Sequence, residues 1–284
     1  SLQQEPETRK ISELYWEASG NFHLIKAIEL NGTMSLGLGQ ANGSYLFKAE
    51  GILNSGIVGK FSGYWSITSR KPYMIESTFF ADQLPIYRFH FNNPFINDIG
   101  VKWQWEKQNL SAGINWLIFD NYIYFDTARK PAQITSSFSL RRLYINKEFN
   151  LSWLGLRANI IWQPDARVEL AIPDLIYAAG LYARIKIFER KVTLLPGMEI
   201  TYHTGYHGIS YFPVTGRYHL TNGAAIPDYF RVDAVLGMKI RFLKAFVRMD
   251  DFAGLWKDRV LYQADYYPHY PAYLRFGIEA GFFN

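Results

Sequence analysis

The chain has 284 residues, 49% of them apolar, which is enough to bury a core in one large domain or two ordinary ones. Aromatic residues make up 17% and charged residues only 19%, which excludes disordered, collagen-like and coiled-coil chains and leaves a globular or membrane-embedded protein. The absence of cysteine excludes disulfides, thiolate metal sites and a cysteine nucleophile. A net charge of +5 without long runs of like charge argues against nucleic-acid binding.

The first residues show neither the basic-then-apolar pattern of a signal peptide nor an initiator Met, and we expect residues 1–12 to form a flexible N-terminal segment. No apolar stretch approaches the roughly 18 residues that a membrane-spanning helix needs. The longest, residues 176–183, has about eight and contains a glycine. A helical membrane protein is therefore excluded.

Most of the chain alternates between apolar and polar residues with period two. Ile57, Phe61 and Trp65 share one parity, for example, while Lys60 and Ser62 occupy the other. Such runs are about 9–13 residues long, roughly twice the usual globular strand and sufficient for a tilted membrane-spanning strand. About fourteen strands are predicted, near residues 13–25, 27–37, 44–54, 57–69, 84–91, 99–106, 109–119, 133–145, 149–163, 175–188, 191–203, 229–241, 244–251 and 272–283.

The connections between these strands alternate between short and long. Short turns are expected near residues 26, 54–56, 106–108, 146–148, 188–191 and 243, and long loops at 70–83, 121–132, 163–174, 204–228 and 252–271. Breaks in the alternation near residues 141–142 and 153–154 suggest β-bulges. The pattern favours an all-β, antiparallel transmembrane β-barrel with long loops on one rim and short turns on the other. A soluble β-fold is the alternative, because aromatic residues also favour strands in a soluble core.

Three loop segments carry a family resemblance: NYIYFD at 121–126, YFPVTGRYHLTN at 211–222, and YPHYP at 267–271 ahead of LRFG at 274–277. From about residue 15 onward the chain resembles the outer-membrane porins of Bacteroidota. This resemblance implies a β-barrel in the Gram-negative outer membrane with a pore function. Because members of that family are longer on the N-terminal side, it also implies that the single barrel domain over residues 1–284 corresponds to the C-terminal part of a larger barrel.

The polar parity of the predicted strands carries about twelve basic and six acidic side chains, an excess that favours anions in a pore. The alternative is that these charges pair across strands, Arg231 or Arg241 with Asp233 and Arg248 with Asp250, and only stiffen the wall. The residues predicted to line the pore are Lys60, Lys102, Arg184, Lys186, Glu199, Arg231, Asp233, Lys239, Arg241, Arg248, Arg275 and Glu279.

No motif points strongly to catalysis. His203 and His207 have the four-residue spacing of zinc-protease helices, but no Glu lies between them and Gly205 disfavours a helix. Ser210 lies near both histidines, although proximity in sequence says little about a catalytic arrangement. We expect no catalytic residue, no metal and no cofactor.

Tyr266, Tyr267 and Tyr270 form an aromatic loop segment that could contact a sugar or a partner protein, or could fold over its own rings. The predicted function is passive diffusion of small polar or anionic solutes across the outer membrane. The alternatives are a non-conducting barrel that anchors or receives a partner and, in a different class, a lipid hydrolase or acyltransferase. The expected partners are outer-membrane lipids including lipopolysaccharide, the solutes, and another membrane or periplasmic protein, but no nucleic acid.

Overall fold

The computed structural model describes residues 12–81, 84–189, 191–223, 225–255, 262–264 and 267–281. The strands are β1 (Glu13–Ile25), β2 (Ile28–Gly39), β3 (Tyr45–Asn54), β4 (Lys60–Ser69), β5 (Thr78–Ala81), β6 (Leu84–Arg88), β7 (Phe95–Trp105), β8 (Leu110–Asp120), β9 (Tyr122–Phe125), β10 (Pro131–Ile134), β11 (Phe138–Asn150), β12 (Leu154–Trp162), β13 (Leu175–Ala183), β14 (Ile185–Ile187), β15 (Val192–His203), β16 (Ile209–Phe212), β17 (Arg217–Leu220), β18 (Tyr229–Ile240), β19 (Leu243–Asp250), β20 (Tyr262–Ala264), β21 (Tyr267–Pro268) and β22 (Tyr273–Ala280). Helix α1 spans Met74–Ser77, and short 3₁₀ turns span Glu106–Gln108, Val168–Leu170 and Phe252–Leu255. Among the described residues, no helix is long and apolar enough to cross a membrane.

Fourteen strands form one sheet, with the order β1-β2-β3-β4-β7-β8-β11-β12-β13-β15-β18-β19-β22 and with β14 paired to β15. The remaining strands form four two-stranded hairpins within the long connections: β5 with β6, β9 with β10, β16 with β17, and β20 with β21. Neighbouring strands of the large sheet are joined either by short turns or by these long connections, as antiparallel pairing allows. The predicted all-β antiparallel fold and its number of strands are therefore confirmed.

Several local predictions differ from the structure. The predicted strand at 84–91 is β6, a member of the β5–β6 hairpin rather than of the large sheet. The turn predicted at 146–148 lies inside β11, because these residues continue the ladder to β12 and the turn follows at 151–153. The bulge predicted at 153–154 is the end of that turn. Residues 141–142 lie within strand β11, and the bulge expected there stays a prediction.

A further difference concerns the single strand predicted over 175–188. It is divided at Arg184 into β13 and β14, which both pair with β15. Continuing the common register of the two pairings places Pro196 of β15 opposite Ala183, beside this break. Proline lacks a backbone N–H and so cannot donate to the ladder.

The chain divides into two compact units. Unit 1 comprises residues 1–103, 114–141 and 211–220, and unit 2 comprises 104–113, 142–210 and 221–284. Unit 1 contains the β1–β4 meander, in which neighbouring strands pair over nearly their full lengths. Unit 2 contains the consecutive pairings from β12 through β22, and this part of the sheet positions the candidate site.

Candidate functional site

The sheet of unit 2 has two chemically different faces. On one face, Leu181 lies opposite Met198 and Leu236 lies opposite Val247, and all four side chains are exposed. Because successive strand residues point to opposite faces, the intervening positions form a second surface, which carries most of the charged residues. We call these surfaces the apolar face and the charged face of unit 2.

Three carboxylates form a row across the charged face. Glu199 of β15 lies directly opposite Asp233 of β18. Asp233 and Asp250 are the next residues beyond the last pair of the β18–β19 register, which joins Ala234 to Met249. Like charges on neighbouring strands destabilise a sheet, so this row requires compensating cations.

Arginines from the neighbouring rows supply these cations. Arg231 donates to Asp233 through Nε at 2.5 Å and Nη2 at 2.9 Å, and it also reaches Asp250 at 2.5 Å. Arg248 contacts all three carboxylates, with Nε 2.9 Å from Asp250, Nη2 2.5 Å from Asp233 and Nη1 2.7 Å from Glu199. These are the short charge-assisted geometries that a planar guanidinium favours.

Asp250 is the centre of this arrangement, with a side chain only 1% exposed. Arg275 of β22 donates to it through both Nε and Nη2, the latter at 2.8 Å, so three arginines share one carboxylate. A buried carboxylate is costly unless it is paired and hydrogen-bonded, and Asp250 meets both conditions.

The row continues towards β12 through a tyrosine. Tyr182 donates its hydroxyl to Glu199, and Arg157 Nη2 lies 3.3 Å from the same carboxylate. Arg157 also donates to the Tyr182 hydroxyl oxygen at 3.4 Å. The arginine–carboxylate network, as we name it, thus consists of Arg157, Tyr182, Glu199, Arg231, Asp233, Arg248, Asp250 and Arg275.

The network also holds the segment that connects β19 to β22. Arg231 Nη1 donates to His269 Nε2 at 3.2 Å, while His269 Nδ1 donates to the carbonyl of Tyr270 at 3.0 Å. The backbone N–H of Asp251 donates to Asp233 at 2.8 Å. The network therefore lies at the long-loop end of the charged face and fixes both ends of that connection.

Other predicted pore-lining residues lie at the opposite, short-turn end of this face. Lys186 is opposite Thr193, Thr193 is opposite Lys239, and Lys239 is opposite Lys244. Lys244 pairs with Glu279 at 3.0 Å, with side chains 54% and 71% exposed. These residues form a second row across the sheet, well separated along the strands from the arginine–carboxylate network.

The two remaining predicted arginines lie at breaks in the strands. Arg184 is exposed between β13 and β14, and its Nη1 donates to the carbonyl of Ser152 at 3.5 Å. Arg241 is not on a strand face, as its parity suggested, but in the two-residue turn between β18 and β19, with φ +47°. The turn was expected at Leu243, which instead pairs with Ile240.

In unit 1 the predicted lysines are also on the polar side of the sheet. Lys60 lies opposite Asn54 and interacts electrostatically with Glu29. Lys102 has the same parity in β7 as Asp98, which accepts a hydrogen bond from Tyr64 at 3.0 Å. The opposite side carries exposed Trp16 and Trp65.

The aromatic loop residues are only partly described. Tyr267 and Tyr270 are exposed, the latter by 74%, and Tyr270 packs edge-to-face with Tyr273 at a centroid distance of 6.0 Å. Tyr266 lies outside the described residues. The two described tyrosines are thus accessible at the long-loop end of unit 2.

The histidines considered for chemistry bond to backbone carbonyls. His203 Nδ1 donates to the carbonyl of Thr204 at 3.0 Å and its ring stacks on Tyr229, while His207 Nε2 donates to the carbonyl of Thr221 at 3.1 Å. Within the described ranges, no group of three or more His, Asp or Glu side chains is arranged to hold a metal ion.

A loop carboxylate next to this region is also held by hydrogen bonds. Asp228 accepts the backbone N–H of Gly205 at 2.8 Å and the hydroxyl of Tyr202 at 2.9 Å. The Gly205 and Tyr202 hydrogen bonds stabilise the ionised carboxylate, so the pKa of Asp228 lies below its usual value.

The predicted pore-lining set omits Asp250, Tyr182 and Arg157, although the alternative of cross-strand pairing joined Arg248 to Asp250, a pair that the structure contains. Asp250 lies on the polar parity of β19, as Asp233 does on that of β18, so its place on the charged face could have been predicted from the sequence. The role of the Tyr182 hydroxyl depends on the cross-strand register, which brings Gly197 opposite Tyr182 and leaves room for the ring. Hydropathy alternation does not specify this register.

The comparisons with known proteins agree with this architecture. The family model described as "Putative porin" matches residues 1–284. The chain belongs to this porin family. A comparison with curated proteins finds no match.

Solved structures of outer-membrane receptors are similar in fold. The siderophore receptor PirA from Acinetobacter baumannii matches with a TM-score of 0.67 and 8% identity, covering 95% of this chain and 46% of the receptor. The ferric-catecholate import receptor Fiu from K12 E. coli gives 0.64 and 14%, covering 94% and 44%. The structure of the FpvAI–pyocin S2 complex gives 0.61 and 13%, covering 94% and 39%. This porin thus has an outer-membrane β-barrel fold, is a protein of the Gram-negative outer membrane, and spans less than half the length of these matched chains.

Proposed function

We propose that this porin passes small polar or anionic solutes by diffusion along the charged face of its sheet, without cofactor or chemistry. The observation that carries the proposal is the separation of the two faces. In unit 2, exposed Leu181, Met198 and Leu236 share one face, while the charged residues occupy the other. In an outer-membrane barrel such apolar residues face lipid and the alternate residues face the interior.

The balance of charge on the interior face supports a preference for anions. The carboxylates of the arginine–carboxylate network are matched by arginines, so they offer little free negative charge to a passing cation. Lys186 and Lys239 make no ion pair within the part of the chain that the structure describes. A water-filled passage lined by such side chains would attract anions, as rings of Lys and Arg do in anion pores.

The orientation of the apolar face towards lipid also determines the expected membrane partners. The apolar face would contact outer-membrane lipids, including lipopolysaccharide at the long-loop side. An origin in the Bacteroidota stays a prediction of the loop motifs.

A second candidate is a receptor that binds its ligand or a partner protein at the long-loop end. The proteins of similar fold favour it, since they include siderophore receptors and a receptor in complex with a pyocin. Exposed Tyr267 and Tyr270 could supply aromatic contacts there. In this case the chain would bind tightly and conduct little.

Single-channel recording of the purified chain in planar bilayers tests the proposal. We expect stable conductance steps, and a reversal potential under a salt gradient that indicates anion preference. Lys102→Glu should shift the reversal potential towards cations, whereas Lys26→Glu, in the turn between β1 and β2, should shift it less. A folded, inserted chain without conductance would refute diffusion and favour the receptor.

A further inference from the structure

The short-turn end of the charged face of unit 2 carries a row of basic and hydroxyl side chains on four neighbouring strands. Lys186 of β14, Thr193 of β15, Lys239 of β18 and Lys244 of β19 are successive cross-strand partners. We call these four residues the lysine row. Because they are direct partners, they project from the same face at the same level.

The spacing of this row suits one small anion. Neighbouring strands lie about 4.8 Å apart, so Lys186 and Lys239 are separated by about 10 Å with Thr193 between them. A lysine carries its ammonium on a flexible four-carbon stem, so both ammonium groups can converge above the threonine. The hydroxyl of Thr193 adds a hydrogen-bond donor at the midpoint.

The electrostatics of the row are unfavourable in the absence of a counter-ion. Lys239 is directly opposite Lys244, an arrangement that destabilises a sheet. Glu279 forms an ion pair with Lys244 and compensates its charge, but Lys186 and Lys239 have no carboxylate partner among the described residues. Both side chains are exposed and therefore accessible to a solute.

The other end of the same face shows the opposite arrangement. There the cations are arginines, and Arg231, Arg248 and Arg275 are each engaged by buried or half-buried carboxylates. Planar guanidinium groups form fixed bidentate pairs, whereas an ammonium is a mobile point charge. The free positive charge of this face is therefore concentrated at the short-turn end.

We propose that Lys186, Thr193 and Lys239 form a binding site for the carboxylate or phosphate group of a solute at the short-turn end of the charged face. This inference rests on the proposed function, and it assigns the anion preference of the pore to these three residues. The arginine–carboxylate network then contributes rigidity but little selectivity. In outer-membrane barrels the short turns lie on the periplasmic side, so the site would be the last that an incoming solute meets.

Block of chloride conductance by inorganic phosphate tests the site in the full chain. We expect saturable block of the wild-type protein, stronger from the short-turn side. The double variant Lys186→Gln/Lys239→Gln should raise the half-blocking concentration about tenfold or more, because two charge-assisted contacts are lost. Lys191→Gln, an exposed lysine in the adjacent turn that already pairs with Glu189, is the matched control and should change it less than about twofold.

A second arm uses acetate in place of phosphate. Lysine-dependent block by both anions supports a general anion site, and lysine-dependent block by one alone supports that chemical group. A conducting wild-type chain whose block is the same in the double variant overturns the site but leaves diffusion intact. A folded and inserted wild-type chain that does not conduct overturns the proposed function and, with it, the role of the site in solute passage.

Discussion

Replacement of Asp250 by asparagine should strongly destabilise the sheet of unit 2. The carboxylate is 1% exposed and is the shared acceptor of three arginines, whose side chains are 15%, 25% and 49% exposed. Asp250→Asn keeps the shape, removes the charge, and turns an amide donor towards guanidinium donors. Breaking a buried ion pair by removing one partner costs about 3–5 kcal/mol.

The partial exposure of the arginines places the expected loss at the lower end, about 3 kcal/mol. This corresponds to roughly a 150-fold change in the equilibrium between folded and unfolded protein. Equilibrium unfolding by urea in phospholipid vesicles, followed by tryptophan fluorescence, measures it. The control is Glu279→Gln, which removes an exposed pair on the same sheet and should cost less than about 1 kcal/mol.

A double variant makes the reasoning refutable. If unpaired arginine charge causes the loss, removing Arg275 as well should restore part of the stability of Asp250→Asn. An Asp250→Asn protein as stable as Glu279→Gln would show that the network contributes no more than an exposed salt bridge. A loss that Arg275→Gln does not relieve would show that altered packing, rather than charge, is responsible.

Three further outcomes are expected in the loops and the sheet. The folded-state pKa of Asp228 lies below its unfolded value of about 4, so the ionised carboxylate stabilises the folded loop at higher pH. This stability is lost as the pH falls through the folded-state pKa. Asp228→Asn should therefore flatten the dependence on acid pH of the rate of proteolysis within 204–228. The side chain of Glu76 is only 7% exposed and forms an ion pair with Arg70, so it should protect the 70–94 loop from proteolysis. Glu76→Gln should raise the rate at which a protease cleaves this loop about tenfold. Gly197→Ala would place a methyl group against the Tyr182 ring and should cost about 1–3 kcal/mol in the same unfolding assay, whereas Gly32→Ala, with open space, should cost less.

The period-two pattern was sufficient to predict the class of fold and most strand positions. Strands such as β1 and β15 were predicted within a residue or two because each has one apolar and one polar side. The prediction of a turn at 146–148 is wrong because three consecutive polar residues resemble a turn. Asn146 and Glu148 instead lie on the polar side of β11. Lys147 can remain in the strand because its long side chain reaches the carbonyl of Gln108.

The site was less predictable because it depends on register. Parity placed Arg231, Asp233 and Arg248 on one face, but only the cross-strand alignment shows which of them share a carboxylate. The same limitation applies to Arg241, where a two-residue shift of the turn moves a side chain from a strand to a turn. A single register step reverses the face of every side chain, and hydropathy constrains that step only where one face is apolar.

The two ends of the charged face show why a count of charged residues does not predict the anion selectivity of a pore wall. Arg231 and Lys239 lie on the same face of β18 and add equally to a formal count. Two carboxylates hold Arg231, whereas none holds Lys239 in the part of the chain that the structure describes. Solvent-exposed charges more than about 8–10 Å apart are largely screened at physiological salt, so a passing anion responds to the local imbalance rather than to the total. Selectivity on this wall should therefore follow the lysines near the short turns, and stability should follow the arginines near the long loops.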